Sequence, residues 1–194
     1  MVSRLRYGNT NTFLVRGDRQ GILVDTDYAG TLPAFFKSIK EAGITVNDIS
    51  YILATHYHPD HIGLVSSLMD QGVKLILIDS QTPFVHYSDE IFVKEPHLEY
   101  KPIDVSSSVV ISPAESRAFL KDLGICGEII CTPSHSEDSI SLILDDGTCI
   151  VGDLEPFEYL EAYEDNEKLK ADWDKVLSYH PKVICYAHAN EKHP

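Results

Sequence analysis

Residues 55–61 read THYHPDH and bring three histidines and one aspartate together directly after an apolar run, ISYILA. The chain has 194 residues and nine histidines, so a third of its histidines lie in this heptad. Such a density of imidazole and carboxylate groups is improbable in a simple surface loop, whereas these are the side chains that bind divalent metal ions. The heptad therefore predicts a metal site.

Pro59 divides the heptad into two pairs of ligands. If the preceding strand continues into the heptad, the alternation of side chains points His56 and His58 to the same side. Pro59 favours the first position of a helix, so Asp60 and His61 belong to a helix start and point in another direction. We expect the first pair to bind one ion and the second pair to serve another ion beside it, ~3.5–4 Å away.

Four more polar residues lie where an apolar run ends. Asp25 closes GILVD, His135 follows EIICTPS, Asp153 follows CIVG, and His188 follows KVICYA. Strand ends meet at the edges of sheets, where functional sites are built. We therefore expect these four side chains to join the heptad at one sheet edge.

Eight short runs are β-rich, and four longer runs have helical spacing of apolar residues. The predicted strands are residues 10–16, 21–25, 49–55, 73–78, 127–132, 139–144, 148–153 and 182–187. The predicted helices are residues 32–43, 61–70, 115–124 and 167–180. This grouping indicates two sheets packed face to face, with helices on the outside.

The length favours a single domain over residues 1–194. Within it, residues from about 80 to 116 fit no regular pattern, because they contain four prolines and the serine-rich run VSSSVV. A long irregular segment inside a compact domain is usually functional. We expect this insertion to act as a lid or a contact surface.

The charge balance argues against nucleic acid as a partner. The chain has 30 acidic and 16 basic side chains and a formal net charge of -14, which leaves few cations to neutralise phosphates. No run approaches the ~20 apolar residues of a membrane span, and no apolar leader follows the first arginines. We expect a cytoplasmic protein that acts on a small-molecule substrate away from membranes; its oligomeric state stays open.

The order of these motifs resembles the metallo-β-lactamase superfamily. Asp25, THYHPDH, the histidine of TPSHS, the aspartate of VGDL and the histidine of YAHAN match its five motifs in order, between residues 25 and 188. The resemblance implies an α+β fold, a four-layer αβ/βα sandwich of two packed β-sheets flanked by helices. It also implies a metal centre at one edge of the two sheets.

The resemblance further implies how the ligands are shared between two ions. One ion would be bound by His56, His58 and His135, the other by Asp60, His61 and His188, with Asp153 bridging both. Asp25 would hydrogen-bond to a ligand histidine and fix the orientation of its ring. Two divalent ions are implied, with zinc as the first expectation and iron or manganese as alternatives.

The chemistry implied by the resemblance is hydrolysis. A hydroxide that bridges the metals would attack the substrate, and Asp60 would act as the catalytic residue that carries a proton to the leaving group. The absence of an export leader and the aspartate at position 60 argue against a true β-lactamase. Ribonuclease-like relatives need basic surfaces, and flavodiiron relatives have different ligands and a flavin domain.

The resemblance is nearest to a glyoxalase II-like, small metal-dependent hydrolase branch. Only six residues follow His188, so we expect the glutathione-binding domain of glyoxalase II to be missing. What is left is a hydrolase of a small ester, thioester or lactone. Two alternatives stay open: a persulfide dioxygenase that holds one iron, and a metal-binding protein without turnover.

Overall fold

The computed structural model describes residues 1–161 and 166–194. Among these residues, ten strands form two sheets. The first sheet contains β1 (Val2–Arg6), β2 (Asn11–Arg16), β3 (Gly21–Val24), β4 (Tyr51–Leu53), β5 (Lys74–Ile78) and β6 (Val109–Ile111), in that order. The second sheet contains β7 (Gly127–Cys131), β8 (Ile140–Leu144), β9 (Thr148–Gly152) and β10 (Val183–Tyr186), in the order β10, β9, β8, β7.

The strand directions determine which strand ends lie at the same edge of each sheet. Strands β1 to β3 pair antiparallel, whereas β3 to β6 pair parallel. In the second sheet β7, β8 and β9 pair antiparallel, and β10 runs parallel to β9. The carboxyl ends of β7, β9 and β10 therefore lie at one edge of the second sheet, as those of β3 and β4 do in the first.

Helices cover the outer faces of the sheets. The α-helices are α1 (Leu32–Glu41), α2 (Pro59–Ile62), α3 (Val65–Met69), α4 (Asp89–Val93), α5 (Pro113–Asp122) and α6 (Glu167–Ser178). Short 3-10 turns lie at Val46–Asp48, Asp79–Phe84, Pro96–Leu98, Val105–Ser107 and Phe157–Glu161.

Three apolar layers show how the sheets and helices pack. The layer between the sheets joins residues of both, among them Val24 and Leu53 from the first sheet and Leu142 and Ile150 from the second. The outer face of the first sheet packs against α1 and α3, and that of the second packs against α6, where Trp173 is fully buried. Burial on both faces explains why several strands are apolar at every position. The four-layer αβ/βα sandwich is confirmed.

The heptad itself differs from the prediction in its backbone. Strand β4 ends at Leu53, so residues 55–58 are not part of a strand. The reason is that the backbone N–H of Thr55 donates to the carboxylate of Asp25, and that of Tyr57 donates to Asp138. Carboxylate side chains thus accept the N–H groups that a neighbouring strand would otherwise bind, while Pro59 begins α2 as expected.

The predicted helix over residues 61–70 is two helices, α2 and α3. Gly63 lies between them against the backbone of Tyr28 and Ala29, where a Cβ atom would come within 2.1 Å of the Ala29 nitrogen. The N–H of Leu64 donates to Thr26 Oγ1 at 3.2 Å instead of continuing the helical ladder. The helix is therefore broken by contact with the loop after β3.

The segment predicted to be irregular, residues 80–116, contains more regular structure than expected. It includes α4, β6, the start of α5 and three of the 3-10 turns, and the sequence also missed β1. Gln81 and Ser88 in this segment are fully buried. Much of it is therefore part of the folded core. No helix in the described part of the chain is long and apolar enough to span a bilayer.

Candidate metal centre

The seven predicted ligands come together where the carboxyl ends of the strands meet. The heptad follows β4, Asp153 follows β9, His188 follows β10, and His135 lies in the loop after β7. This is the edge that the strand-end pattern predicted. Their role as metal ligands stays a prediction. The structure gives the distances between their nitrogen and oxygen atoms.

Three histidines form the first group, here called the histidine triad. The Nε2 atom of His56 lies 3.0 Å from Nδ1 of His58, and that atom lies 3.2 Å from Nε2 of His135. Two ligand atoms that hold one ion tetrahedrally at ~2.1 Å are ~3.4 Å apart. The spacing of the triad therefore suits a single ion.

A second group, here called the mixed triad, consists of Asp60, His61 and His188. The Nε2 atom of His188 lies 3.0 Å from Oδ2 of Asp60, and Nε2 of His61 lies 3.9 Å from the same oxygen. The ligand atoms of the group all lie within 4.8 Å of one another. This triad could also hold one ion.

Asp153 lies between the two triads. Its Oδ2 atom is 3.8 Å from His56 Nε2 and 3.7 Å from His135 Nε2, on the side of the histidine triad. The same oxygen is 3.4 Å from His61 Nε2, and its Oδ1 atom is 3.4 Å from His188 Nε2. One carboxylate thus faces both groups, as a bridging ligand would.

Asp25 connects β3 to both triads. Its Oδ2 atom lies 3.0 Å from Nδ1 of His61, and the carboxylate also accepts the N–H and the hydroxyl of Thr55 at 2.6 and 2.8 Å. Asp25 is buried and has a φ of 59°, in the left-handed region. A non-glycine residue is held in that region only when its surroundings require it, which is common at functional sites. The contact with His61 is suited to orienting its ring.

Gln81 supports the histidine triad, although sequence reasoning did not select it. Its buried amide donates to the carbonyl oxygens of Ala54, Thr55 and Asp138, at 3.1, 3.3 and 3.0 Å. Asp138 in turn accepts the N–H of Tyr57 at 2.6 Å. Gln81 therefore ties the heptad to the loop that carries His135.

The turn before β2 supports the mixed triad, and it was also missed. The carbonyl oxygen of Asn9 lies 3.3 Å from His188 Nδ1, and the hydroxyl of Thr10 donates to the Asp60 carbonyl at 2.8 Å. The amide of Asn11 donates to the carbonyls of Tyr186 and Ala189, each at 2.9 Å, on either side of His188. The sequence predicted only a β-strand over residues 10–16, and this pattern does not indicate the contacts with the loop of His188.

The pKa values of the site favour cation binding at the histidine triad. Burial holds the pKa of His56 well below its usual value and also lowers that of His135. Both imidazoles are therefore neutral near pH 7, which is the form that binds a metal. Burial opposes the ionised form of Asp153, but the close contact with His61, 3.4 Å away, and the positive charge of that ring bring its pKa to about 2.

In the mixed triad, neighbouring carboxylates shift the pKa of His61 upward. Burial lowers the pKa of His61, but the charges of Asp25 and Asp153 outweigh it and raise the pKa to about 10. Burial likewise opposes ionisation of Asp60, and the hydrogen bond from His188 still lowers its pKa to about 2. A metal ion and a proton compete for such an imidazole, so the carboxylates that raise its pKa also attract a metal ion.

The residues present fit a pair of divalent ions. His61 Nε2 and Asp153 Oδ1 are buried and have no hydrogen-bond partner among the described residues. Buried polar atoms are nearly always paired, and an unpaired one calls for an explanation. Both atoms point into the cluster of imidazole and carboxylate groups, where a bound cation would satisfy them. Nitrogen and oxygen ligands of this kind accept zinc, iron and manganese.

The sequence profile of the metallo-beta-lactamase superfamily matches residues 5–188, from β1 to the last predicted ligand. The chain belongs to the metallo-beta-lactamase superfamily. Among its curated superfamily relatives, the Beta-lactamase-like protein 2 homolog of Drosophila melanogaster is 25% identical over 194 residues, or 97% of this chain and 61% of that protein. The Lactamase-like protein nscB of Trichophyton equinum is 31% identical over 71% of this chain and 34% of its own length. The chain thus spans between a third and three fifths of these relatives.

A relative with a stated activity is the Atrochrysone carboxyl ACP thioesterase of Aspergillus fumigatus. It is 29% identical over 137 residues, which are 71% of this chain and 27% of the thioesterase. The thioesterase activity is stated for the Aspergillus protein and not for this chain.

Solved structures share the fold of this chain. A metallo-beta-lactamase family protein from Thermus thermophilus has a TM-score of 0.74 and 18% identity, covering all of this chain and 74% of that one. The protein TTHA1623, crystallised in a di-iron-bound form, has a TM-score of 0.74 and 19% identity, covering all of this chain and 94% of that one. At these identities the match establishes the fold alone.

Proposed function

We propose that this chain is a dinuclear metal-dependent hydrolase of a small-molecule ester, thioester or lactone. The observation that carries the proposal is the position of Asp153, whose two oxygens face the histidine triad and the mixed triad at 3.4 to 3.8 Å. A centre for one ion would need only one of these groups. The net charge of -14 supports a small molecule over a nucleic acid as the substrate.

Each residue has a defined part in the proposed reaction. Two bound divalent ions would polarise the substrate carbonyl and supply hydroxide at neutral pH. The buried rings of His56 and His61 hold fixed positions, and Asp25 keeps Nε2 of His61 directed into the site by binding its Nδ1. Asp153 fixes the distance between the two groups.

Asp60 is proposed as the catalytic residue that carries a proton to the leaving group. Its side chain is about a third exposed, so it is open to a substrate, unlike His61 beside it. Asp60 is also a predicted metal ligand, so the proton transfer requires its contact with the ion to be released in part. In Asp60→Asn, activity should fall further than metal content does. A loss of activity only in proportion to lost metal would remove this role.

Two of the similar proteins support the proposal. The thioesterase from Aspergillus fumigatus indicates that the superfamily includes relatives of this chain that cleave an acyl bond. The di-iron form of TTHA1623 indicates that a neighbouring fold holds two ions. For this chain we expect two zinc ions first, with iron or manganese as alternatives.

The decisive experiment combines metal analysis with a substrate screen. Protein purified without added metal is analysed for its elements and assayed on esters, thioesters and lactones. We expect two ions per chain and hydrolysis that His58→Ala reduces by at least ~100-fold, since it removes a ligand. The exposed His97, changed to alanine, serves as the control and should leave both unchanged.

The same experiment separates the alternatives. One iron per chain, with oxygen uptake on glutathione persulfide, would replace hydrolysis by a persulfide dioxygenase. Bound metal without any turnover above that of His58→Ala would instead describe a metal-binding protein. Either result contradicts the proposed function.

A further inference from the structure

A cleft of about 270 Å³ opens directly beside the histidine triad. His58 forms one of its walls, and the aromatic side chains of Tyr57, Phe84 and Tyr87 line it together with the loop after His135. We call it the Tyr87 cleft. A substrate whose carbonyl group lies at the metal centre would extend its acyl part into this space.

Tyr87 is placed to contact such a group. Its side chain is 67% exposed, and its ring centroid lies 6.5 Å from that of His58. The residues on either side are anchored, because Ser88 donates to the Tyr57 carbonyl at 2.6 Å and His86 pairs with Asp89 at 2.9 Å. An exposed aromatic ring on an anchored backbone gives a large apolar contact at little cost in conformational entropy.

The charged groups around the clefts are all acidic. Glu137 is exposed at the rim of the Tyr87 cleft, and Glu155 lines a second cleft of about 280 Å³ beside His135 and His188. Among the described residues, no lysine or arginine lines either cleft. An anionic group held in the Tyr87 cleft, away from the metal centre, would therefore meet repulsion from Glu137 and no basic side chain to pair with.

Two cations near the second sheet are paired with carboxylates. Lys192, which follows the His188 loop, pairs with Glu158 at 2.7 Å. Arg117 on α5 pairs with both Glu128 and Asp145. Of the two carboxylates that line the Tyr87 cleft, Asp138 is buried and accepts the N–H of Tyr57, so the exposed Glu137 is the one that a substrate would meet.

We infer that the Tyr87 cleft binds an uncharged, apolar acyl group of the substrate, and that Glu137 excludes acyl groups that end in a carboxylate. Tyr87 supplies the apolar contact and Glu137 the charge selection. This inference rests on the proposed hydrolase function. It adds the class of substrate, an ester, thioester or lactone with a neutral alkyl or aryl acyl part.

The charge selection is tested with two esters of equal chain length. Para-nitrophenyl hexanoate is neutral, whereas the mono-para-nitrophenyl ester of adipic acid ends in a carboxylate. We expect the metal-loaded wild-type protein to prefer hexanoate in kcat/KM by at least ~10-fold, and Glu137→Gln to reduce this preference by about tenfold through faster adipate cleavage. The exposed Glu90, changed to glutamine, is the matched control and should keep the preference. Added salt should also weaken it. An unchanged ratio in Glu137→Gln would overturn the assignment.

The apolar contact is tested with Tyr87→Ala. The ratio of kcat/KM for hexanoate to that for acetate should fall about tenfold, because an acetyl group does not reach the ring. Tyr179→Ala, which removes another exposed tyrosine at the end of α6, should keep the ratio. Loss of acetate and hexanoate cleavage in equal measure would contradict a specific contact.

A binding measurement keeps this inference separate from the hydrolase proposal. Hexanamide is an uncharged analogue that ester hydrolysis does not consume, and its contact with the protein can be followed by saturation-transfer NMR. We expect a signal for the wild-type protein and for Tyr179→Ala, and its loss in Tyr87→Ala. If no ester is hydrolysed, the proposed function fails, but the NMR measurement still decides whether the cleft binds acyl groups. A signal that persists in Tyr87→Ala overturns the inference.

Discussion

The histidine triad and the mixed triad have similar ligands but different supports. Around the histidine triad, Gln81 and Asp138 bind the backbone of the heptad from inside the core. Each triad has one buried ligand, His56 or His61. The side chains of Asp60 and His188 are 35% and 39% exposed, against 25% for His135 in the histidine triad. His188 lies on the loop after β10, the last strand, and depends on the turn before β2 for its position.

This difference predicts unequal affinities for the two ions. A site whose ligands are fixed before binding loses less conformational entropy when an ion binds. The histidine triad should therefore retain its ion when metal is scarce, and the mixed triad should lose its ion first. A variant at the junction of the triads should affect both ions, whereas a variant at the support of one triad should affect one ion more than the other.

Gly152→Ala should have the largest effect, because it disturbs the junction. Gly152 has a φ of 58°, and a Cβ atom there would lie 2.5 Å from the hydroxyl of Thr55, the residue that Asp25 holds. A left-handed alanine costs ~1–2 kcal/mol, and overpacking costs another ~1–3 kcal/mol. We expect both ions to be lost along with about 2–5 kcal/mol of unfolding free energy, measured by denaturant titration and metal analysis.

Gly43→Ala is the matched control for this variant. Gly43 has a φ of 67°, but a Cβ atom there would meet nothing within 4 Å. It should lose only the ~1–2 kcal/mol of the backbone term and keep both ions. Equal destabilisation by the two substitutions would show that the contact with Thr55 has no energetic importance.

Gln81→Ala should weaken the histidine triad selectively. It removes the buried donor from the carbonyls of Ala54 and Asp138, whereas the Thr55 carbonyl keeps the N–H of Ile140. An unsatisfied buried group costs ~1–3 kcal/mol. We expect a loss of about 2–3 kcal/mol in stability and weaker binding of the first ion. Titration of metal-free protein with zinc and a competing chelator measures both affinities.

The exposed Gln71 provides the control, because its amide bonds only to the Ser67 carbonyl one turn away. Gln71→Ala should change the stability by less than ~0.5 kcal/mol and bind both ions normally. If Gln81→Ala lowered the affinity for the second ion more than that for the first, the inference of unequal support would be wrong.

The fold and the positions of the predicted ligands were accessible from the sequence for one physical reason. Buried strands are continuous apolar runs, so a polar residue at the end of such a run marks the sheet edge. Asp25, His135, Asp153 and His188 follow this rule, and the structure brings them to the heptad. The two-sheet architecture follows from the same runs and is confirmed.

The supports of the site were not accessible, because they have no local pattern. Gln81 lies in the segment that was expected to be irregular, and its three acceptors are backbone carbonyls that any sequence provides. Asn11 lies inside a run that reads simply as a strand, and its partner Tyr186 is 175 positions away. The break between α2 and α3 likewise depends on Gly63 meeting the loop after β3.

Asn11→Ala should have the smallest effect on stability and the clearest effect on one ion. The Asn11 amide binds the carbonyls of Tyr186 and Ala189, so its loss frees the loop that carries His188. The backbone N–H of residue 11 still donates to the Ala187 carbonyl, so strand β2 keeps its place. We expect about 1 kcal/mol of destabilisation and a ~10–100-fold lower affinity for the second ion, as is typical when a supporting hydrogen bond is removed.

The same competition titration distinguishes the two ions in this variant. The affinity for the ion of the histidine triad should equal that of the wild-type protein, because the side-chain contacts of Asn11 do not reach this triad. The control is Asn47→Ala, at an exposed position, which should bind both ions as the wild-type protein does. Hydrolysis should then recover when zinc is raised above the weaker affinity. Equal weakening of both ions would mean that the two triads bind as one unit, and the asymmetry of their supports would have no consequence for metal binding.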